Sequence, residues 1–242
     1  MYMAPPFIAY YAAATNNLTM LQQAVDQSTL YRQILAYAND PLQGAWMHII
    51  GPQSEDQGLW STGNGWAAAG MTRVLATVLK APIARRNPEW QWEAVSMLSS
   101  YIQEILDAAI MSGSDFGLLH NYWNPDQGSN HTYGEASGTS LLAAVAYRMA
   151  VLPVGLDEAK VLEYSTWADA IRFTLGGTDL EGNPHVTSNG TVTPTVDPLD
   201  WQSAVPYTAG SPEGQNFVVL MYAAWRDCVK CGVCEGYDIL VR

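Results

Sequence analysis

A unit of two helices and two loops recurs along this chain, and that repetition limits its fold more than any other feature. Each unit opens with an amphipathic helix and passes a loop carrying Gly and then an aromatic residue or His. It then crosses a second Gly-rich loop and enters a helix rich in Ala and other small residues. In the first pass Leu21, Ala24, Val25, Leu30, Ile34 and Leu35 fall near helical spacing and predict a helix over 21–38. Gly44-Ala45-Trp46-Met47-His48 follows, then Gly58-Leu59-Trp60-Ser61-Thr62-Gly63-Asn64-Gly65-Trp66, opening a helix over 67–79. The second pass has a helix over 92–110, the loop Gly117-Leu118-Leu119-His120, and Gly134-Glu135-Ala136-Ser137-Gly138-Thr139 before a helix over 140–151. The third has a helix over 164–175, a long loop over 176–210, and Ser211-Pro212-Glu213-Gly214-Gln215 before a helix over 216–228. Asn64, Glu135 and Glu213 are equivalent helix starts, about 71 and 78 residues apart, which is two helices plus two loops. A further helix over 4–14 reads as the inner member of a preceding hairpin whose outer helix lies outside the chain. The expectation is an all-α protein with about four inner helices, a single domain over 1–242 that lacks its N-terminal hairpins.

Residue chemistry assigns the two kinds of helix to two layers. Helices rich in Ala, Gly and Ser approach neighbours closely and belong inside. Those carrying Gln22, Gln23, Asp26, Gln27 and Arg32 suit an outer ring facing water. Gly-rich loops before the inner helices leave backbone N–H groups at helix N-termini, which attract polar or anionic ligand atoms. Several such termini at one end would form a binding site. The loop over 176–210 holds Val186-Thr187 and Thr191-Val192-Thr193, enough for a short hairpin, and is a candidate lid or a plain surface connection.

Charge and composition exclude several partners. The net charge of −12, with only 11 Lys plus Arg, would repel a phosphate backbone or an acidic membrane surface. No stretch approaches the roughly 20 apolar residues of a membrane span. Nine Trp and 13 Tyr against four Phe is a surplus of rings with an apolar face and a polar edge, which suit sugar faces as well as cores. Cys228, Cys231 and Cys234 lack the fourth ligand of a structural zinc site, His185 being the nearest His. One local disulfide with a free or externally paired Cys, or three thiols, is expected instead. Met1-Tyr2-Met3-Ala4-Pro5-Pro6-Phe7 has neither a charged leader nor a small-residue cleavage site, and the chain reads as beginning mid-fold. Asn17, Asn130 and Asn189 head Asn-x-Ser/Thr triplets, glycosylation acceptors if the protein is secreted. No P-loop, Gly-x-Gly-x-x-Gly, His-Glu-x-x-His or Gly-x-Ser-x-Gly elbow is present, and no metal or other cofactor is expected.

Tyr2-Met3-Ala4-Pro5-Pro6-Phe7, Trp46-Met47-His48, Trp60-Ser61-Thr62-Gly63-Asn64-Gly65-Trp66 and Glu135-Ala136-Ser137-Gly138-Thr139 carry a resemblance. In order and spacing they are similar to the signatures of the unsaturated glucuronyl and rhamnogalacturonyl hydrolases, glycoside hydrolase families 88 and 105, with wording nearest the secreted fungal branch. The resemblance is strongest over 1–152. It implies an (α/α)6 toroid of the six-hairpin glycosidase type, incomplete here, acting without metal on the unsaturated uronic acid that lyases leave at a non-reducing end. An aspartic acid of the family protonates the C4=C5 enol ether and helps water add at C5. The resulting hemiketal opens and releases the neighbouring sugar.

Carried over by motif, the resemblance implies substrate contacts at His48, Trp60 and Trp66, with Asn64 and Glu135 beside them and Ser211 meeting the substrate carboxylate. It places the catalytic Asp just upstream of residue 1, and an Arg of the family where this chain has Thr62. An ordinary inverting glycosidase needs two facing carboxylates, for which Asp56 and Glu135 are the candidates. A third reading is a carbohydrate-binding protein that kept the fold without the chemistry. The partner expected in every case is an oligosaccharide, with the full-length protein extracellular.

Overall fold

The computed structural model describes residues 1–124, 132–197, 199–200 and 203–236. Helices α1 (Ala4–Ala14), α2 (Leu18–Leu35), α3 (Ser61–Lys80), α4 (Pro82–Arg85) and α5 (Pro88–Met111) come first. A two-residue antiparallel ribbon, β1 (Ser114–Asp115) with β2 (Leu118–Leu119), precedes α6 (Ala136–Val151), α7 (Glu158–Leu175) and α8 (Pro212–Lys230). Helices α1, α3, α6 and α8 stand side by side in chain order, α3 against α1, α6 against α3 and α8 against α6. Outside them α2 packs on α1, α5 on α3 and α7 on α6. Four inner helices with three long outer ones make an open part of an (α/α) toroid, the expected fold class.

Small side chains make this layering possible. From Ala136 to Tyr147 every residue of α6 is buried, because the helix is enclosed by α3, α7 and α8 together. Gly138 allows the closest of these approaches, since a Cβ there would stand 2.5 Å from the Ser61 carbonyl carbon and hydroxyl oxygen of α3. Outer helices bury one stripe only. In α5 it runs through Ala94, Leu98, Ile102, Ile105, Leu106 and Ala109, while Trp92 and Met111 remain exposed. Fully burying each large aliphatic side chain contributes about 1.5–3 kcal/mol.

The inner helices begin earlier than their periodicity suggests. α3 starts at Ser61 rather than 67, and α6 at Ala136 rather than 140, so Gly63-Asn64-Gly65 and Ser137-Gly138-Thr139 form first helical turns instead of loops. At the starts of α6 and α8 a polar side chain meets the free N–H groups of the first turn, whereas α3 begins after Trp60 without a side-chain cap. The Glu135 carboxylate accepts from the Ser137 and Gly138 N–H groups, and the Ser211 hydroxyl from those of Glu213 and Gly214. Asn17 caps α2 in the same way through the Met20 N–H, so one of the three glycosylation triplets begins at a helix cap. Asn130 lies outside the described residues.

Within the long loop over 176–210, of which 198, 201 and 202 lie outside the described residues, Val186 and Val192 bridge antiparallel around a turn. Cys228 and Cys234 form a disulfide at the end of α8, and Cys231 is free and exposed. On the open side of the ring, at mid-height and toward the helix C-termini, lies a groove of about 790 Å³ lined by Tyr10, Ala76, Ala144, Arg148 and Leu220 among others. Among the described residues no helix is long and apolar enough to cross a membrane.

Candidate functional site

Three loops meet over the N-terminal ends of α3, α6 and α8, and backbone hydrogen bonds knit them together. The Ser61 N–H donates to the Asn121 carbonyl at 2.8 Å, that of Trp123 to Leu59 at 3.0 Å, and that of Ala136 to Pro194 at 2.8 Å. Trp60, Tyr122 and Val196, one from each loop, pack into a small apolar cluster with Trp66 against it.

A polar group stands beside this cluster. Nδ1 of His48 lies 2.8 Å from Oδ2 of Asp56, and the Tyr122 hydroxyl donates to the same oxygen at 2.5 Å. Oδ1 of Asp56 accepts from the Gly58 N–H at 2.9 Å. Burial would raise the pKa of Asp56, but these three donors and the nearby His48 outweigh it and hold the carboxyl at about 2. Asp56 is therefore ionised in any ordinary buffer. Burial and the Asp56 charge push the Tyr122 phenol well above its usual range, so it remains a donor. The His48 ring lies against Trp60, with centroids 4.5 Å apart and planes 46° apart, and Trp66 meets Trp60 edge-on at 5.4 Å. Trp60 is only 5% exposed, and its indole N–H donates to Oδ1 of Asn121 at 2.9 Å.

The remaining sequence candidates lie beneath this surface. Asn64 is fully buried, and its side-chain amide is occupied by backbone. Its oxygen accepts from the Trp46 N–H at 2.7 Å, and its nitrogen donates to the Trp46 and Trp60 carbonyls at 3.0 Å each. It ties the His48 loop to the start of α3. Glu135 is likewise fully buried as the cap of α6, with the Thr62 hydroxyl 3.4 Å from Oε1. Burial raises its pKa, the backbone donors lower it, and the outcome is a carboxyl pushed up to about 7. Ser211 is 4% exposed and caps α8. The structure thus brings His48, Trp60 and Trp66 together, His48 and Trp66 half-buried against a buried Trp60, and places Asn64, Glu135 and Ser211 in the framework below them.

Sequence reasoning passed over Tyr122, Asn121 and Val196. The run Asn121-Tyr122-Trp123-Asn124 is aromatic and polar in a stretch without helical or strand period, a sign of a loop with a task. Nothing in the sequence pairs Tyr122 with an acid 66 residues away.

Solved structures with the same fold are known. A polysaccharide lyase aligns with a TM-score of 0.68 at 16% identity, over 98% of this chain and 62% of its own. A family 105 glycoside hydrolase of C. acetobutylicum aligns with a TM-score of 0.69 at 12% identity, over 93% and 63%. The unsaturated glucuronyl hydrolase of Bacillus sp. GL1, described as responsible for the degradation of glycosaminoglycan, aligns with a TM-score of 0.61 at 13% identity, over 95% and 57%. The chain spans about three fifths of the length of these structures. No curated protein matches it. Residues 1–151 match the family model for glycosyl hydrolase family 88, and this segment holds His48, Asp56, Trp60, Trp66, Tyr122 and Glu135. The match covers well over half of the chain and agrees with the open toroid it folds into, so the chain belongs to glycosyl hydrolase family 88.

Proposed function

We propose that this chain carries the sugar-binding end of a glycoside hydrolase acting on unsaturated uronyl oligosaccharides. The observation that supports this most is the surface formed by His48, held by Asp56 and Tyr122, against Trp60 and Trp66. The half-buried rings of His48 and Trp66, backed by Trp60, give an aromatic face with a hydrogen-bonding edge suited to a sugar ring, at the end of the toroid where the inner helices start. The reaction in this reading adds a proton at C4 of the C4=C5 double bond and the hydroxyl of a water at C5. The hemiketal formed then opens and releases the next sugar.

The two nearby carboxylates do not divide acid and base between them as an inverting pair would. Asp56 is ionised far below working pH and has no proton to give. Glu135 keeps a proton to about pH 7, but it is fully buried and both its oxygens accept from the first turn of α6. That favours a second reading, in which this chain binds acidic sugars without turning them over. Incubating the 242-residue chain with a lyase-generated unsaturated disaccharide, and following both its binding and the loss of double-bond absorbance, separates the readings. Binding with turnover supports the hydrolase, binding without turnover supports the second reading, and neither, with helical content intact, overturns both.

A further inference from the structure

The loops that build the sugar-facing end, 36–60, 112–135 and 176–211, contain no Lys or Arg, yet all four His of the chain lie on them. Described cations stand elsewhere: Arg32 pairs with Glu104, Arg148 with Asp227, Lys160 with Asp107 and Arg172 with Asp169. Arg73 is three turns down α3, against Tyr2 and Tyr10. Among the described residues, the side-chain cation that these loops can offer to an acidic sugar is an imidazole. Of the histidines, only His48 has a carboxylate within hydrogen-bond distance among the described residues, and it also lies against Trp60.

We infer that Asp56 is a positioning residue that fixes His48 with its proton on Nδ1 and its ring against Trp60, making His48 the positive partner of an acidic sugar at this site. The inference rests on reading the site as one for acidic sugars. A carboxylate 2.8 Å from Nδ1 accepts its N–H and leaves Nε2 as the atom that takes up the second proton. Asp56 in turn cannot rotate away, because the Tyr122 hydroxyl and the Gly58 N–H hold its two oxygens. Among the described residues, the titratable groups seen around His48 include Asp56 on its own loop and Tyr122 on the loop after β2, with Tyr133 and then Glu135 beyond Tyr122. The first three turns of α3 contribute none.

Ring nitrogen spectra of the 242-residue chain without ligand, assigned with His48→Gln, test the positioning role. Neutral His48 is expected in the Nδ1–H form, and Asp56→Asn, whose amide can donate to Nδ1, is expected to shift it toward Nε2–H. Tyr122→Phe keeps the carboxylate and is expected to keep the tautomer. A wild-type Nε2–H ring, or a tautomer indifferent to Asp56→Asn, overturns the inference, and the wild-type spectrum alone decides if that variant does not fold. Titration with an unsaturated uronyl disaccharide and with a neutral disaccharide tests the role toward ligand. The expected result is a loss of about tenfold or more in affinity for the acidic sugar only, in Asp56→Asn. Equal losses for both sugars would mean that Asp56 merely supports the loop. Failure of the acidic sugar to bind the wild type, with the tautomer as expected, would overturn the reading of the site and leave the tautomer assignment standing.

Discussion

Glu135 and Asp56 are carboxylates at the same end of the ring, yet the fold drives their proton affinities in opposite directions. Asp56 sits among three donors at a partly open surface, whereas Glu135 is sealed between the first turns of α3 and α6, where losing water outweighs two backbone hydrogen bonds. A carboxyl raised from 4.5 to about 7 binds its proton more tightly folded than unfolded. Its contribution to stability is therefore complete below about pH 4.5 and is lost as pH rises toward 7, by about 3 kcal/mol in all. Denaturant unfolding of the wild type at pH 4.5 and 7.5 should show this loss against a Glu135→Gln reference, in which most of it disappears. An unchanged pH dependence in the variant would place the raised group elsewhere.

At the scale of elements, the helix starts are where the packing is tightest. Gly138 lies in the first turn of α6, and ordinary helix propensity would favour Ala there by roughly 1 kcal/mol. The Cβ, however, would stand 2.5 Å from Ser61 and 2.6 Å from Oε1 of Glu135, and neither backbone nor capped carboxylate can move aside cheaply. Gly138→Ala is expected to cost about 1–3 kcal/mol by forcing α3 and α6 apart. Gly176→Ala, whose Cβ meets its nearest neighbour at an ordinary 3.4 Å, should change stability far less in the same unfolding experiment. The same closeness explains why these segments read as loops in sequence. Gly, Ser and Asn are weak helix formers, and here they are helical because only small residues fit between neighbouring helix starts.

For the whole molecule, the notable feature is an apolar groove on the open side of the ring, away from the loops that carry His48 and Tyr122. Ala13, Ala69, Ala76 and Ala144 line it, with Arg73 and Arg148 among its cations. α1 carries no charged residue, and its Phe7, Tyr10 and Tyr11 are exposed, as is Met3 at its cap. An anionic fluorescent probe such as anilinonaphthalene sulfonate should bind the native chain there, through its rings to the alanines and its sulfonate to the guanidinium groups. Ala76→Trp, which fills the groove, should remove most of the fluorescence gain while leaving cooperative unfolding intact. No gain in the wild type would mean that the groove is filled in solution.

The sequence by itself determined the hairpin repeat, the division into small-residue inner and polar outer helices, and the segments before the inner helices that carry His48, Trp60 and Trp66. Each of these depends on spacing along a single segment, and helical period and Gly-rich punctuation are local properties of the backbone. Only the tertiary structure decided how those loops use their polar groups. It turned Asn64 inward to hold the Trp46 and Trp60 backbone, sealed Glu135 as a cap, joined Cys228 to Cys234, and brought Tyr122 to Asp56 across 66 residues. Whether a carboxylate gives up its proton depends on which donors reach it and how much water remains. Both are set when separate loops close over the ends of neighbouring helices.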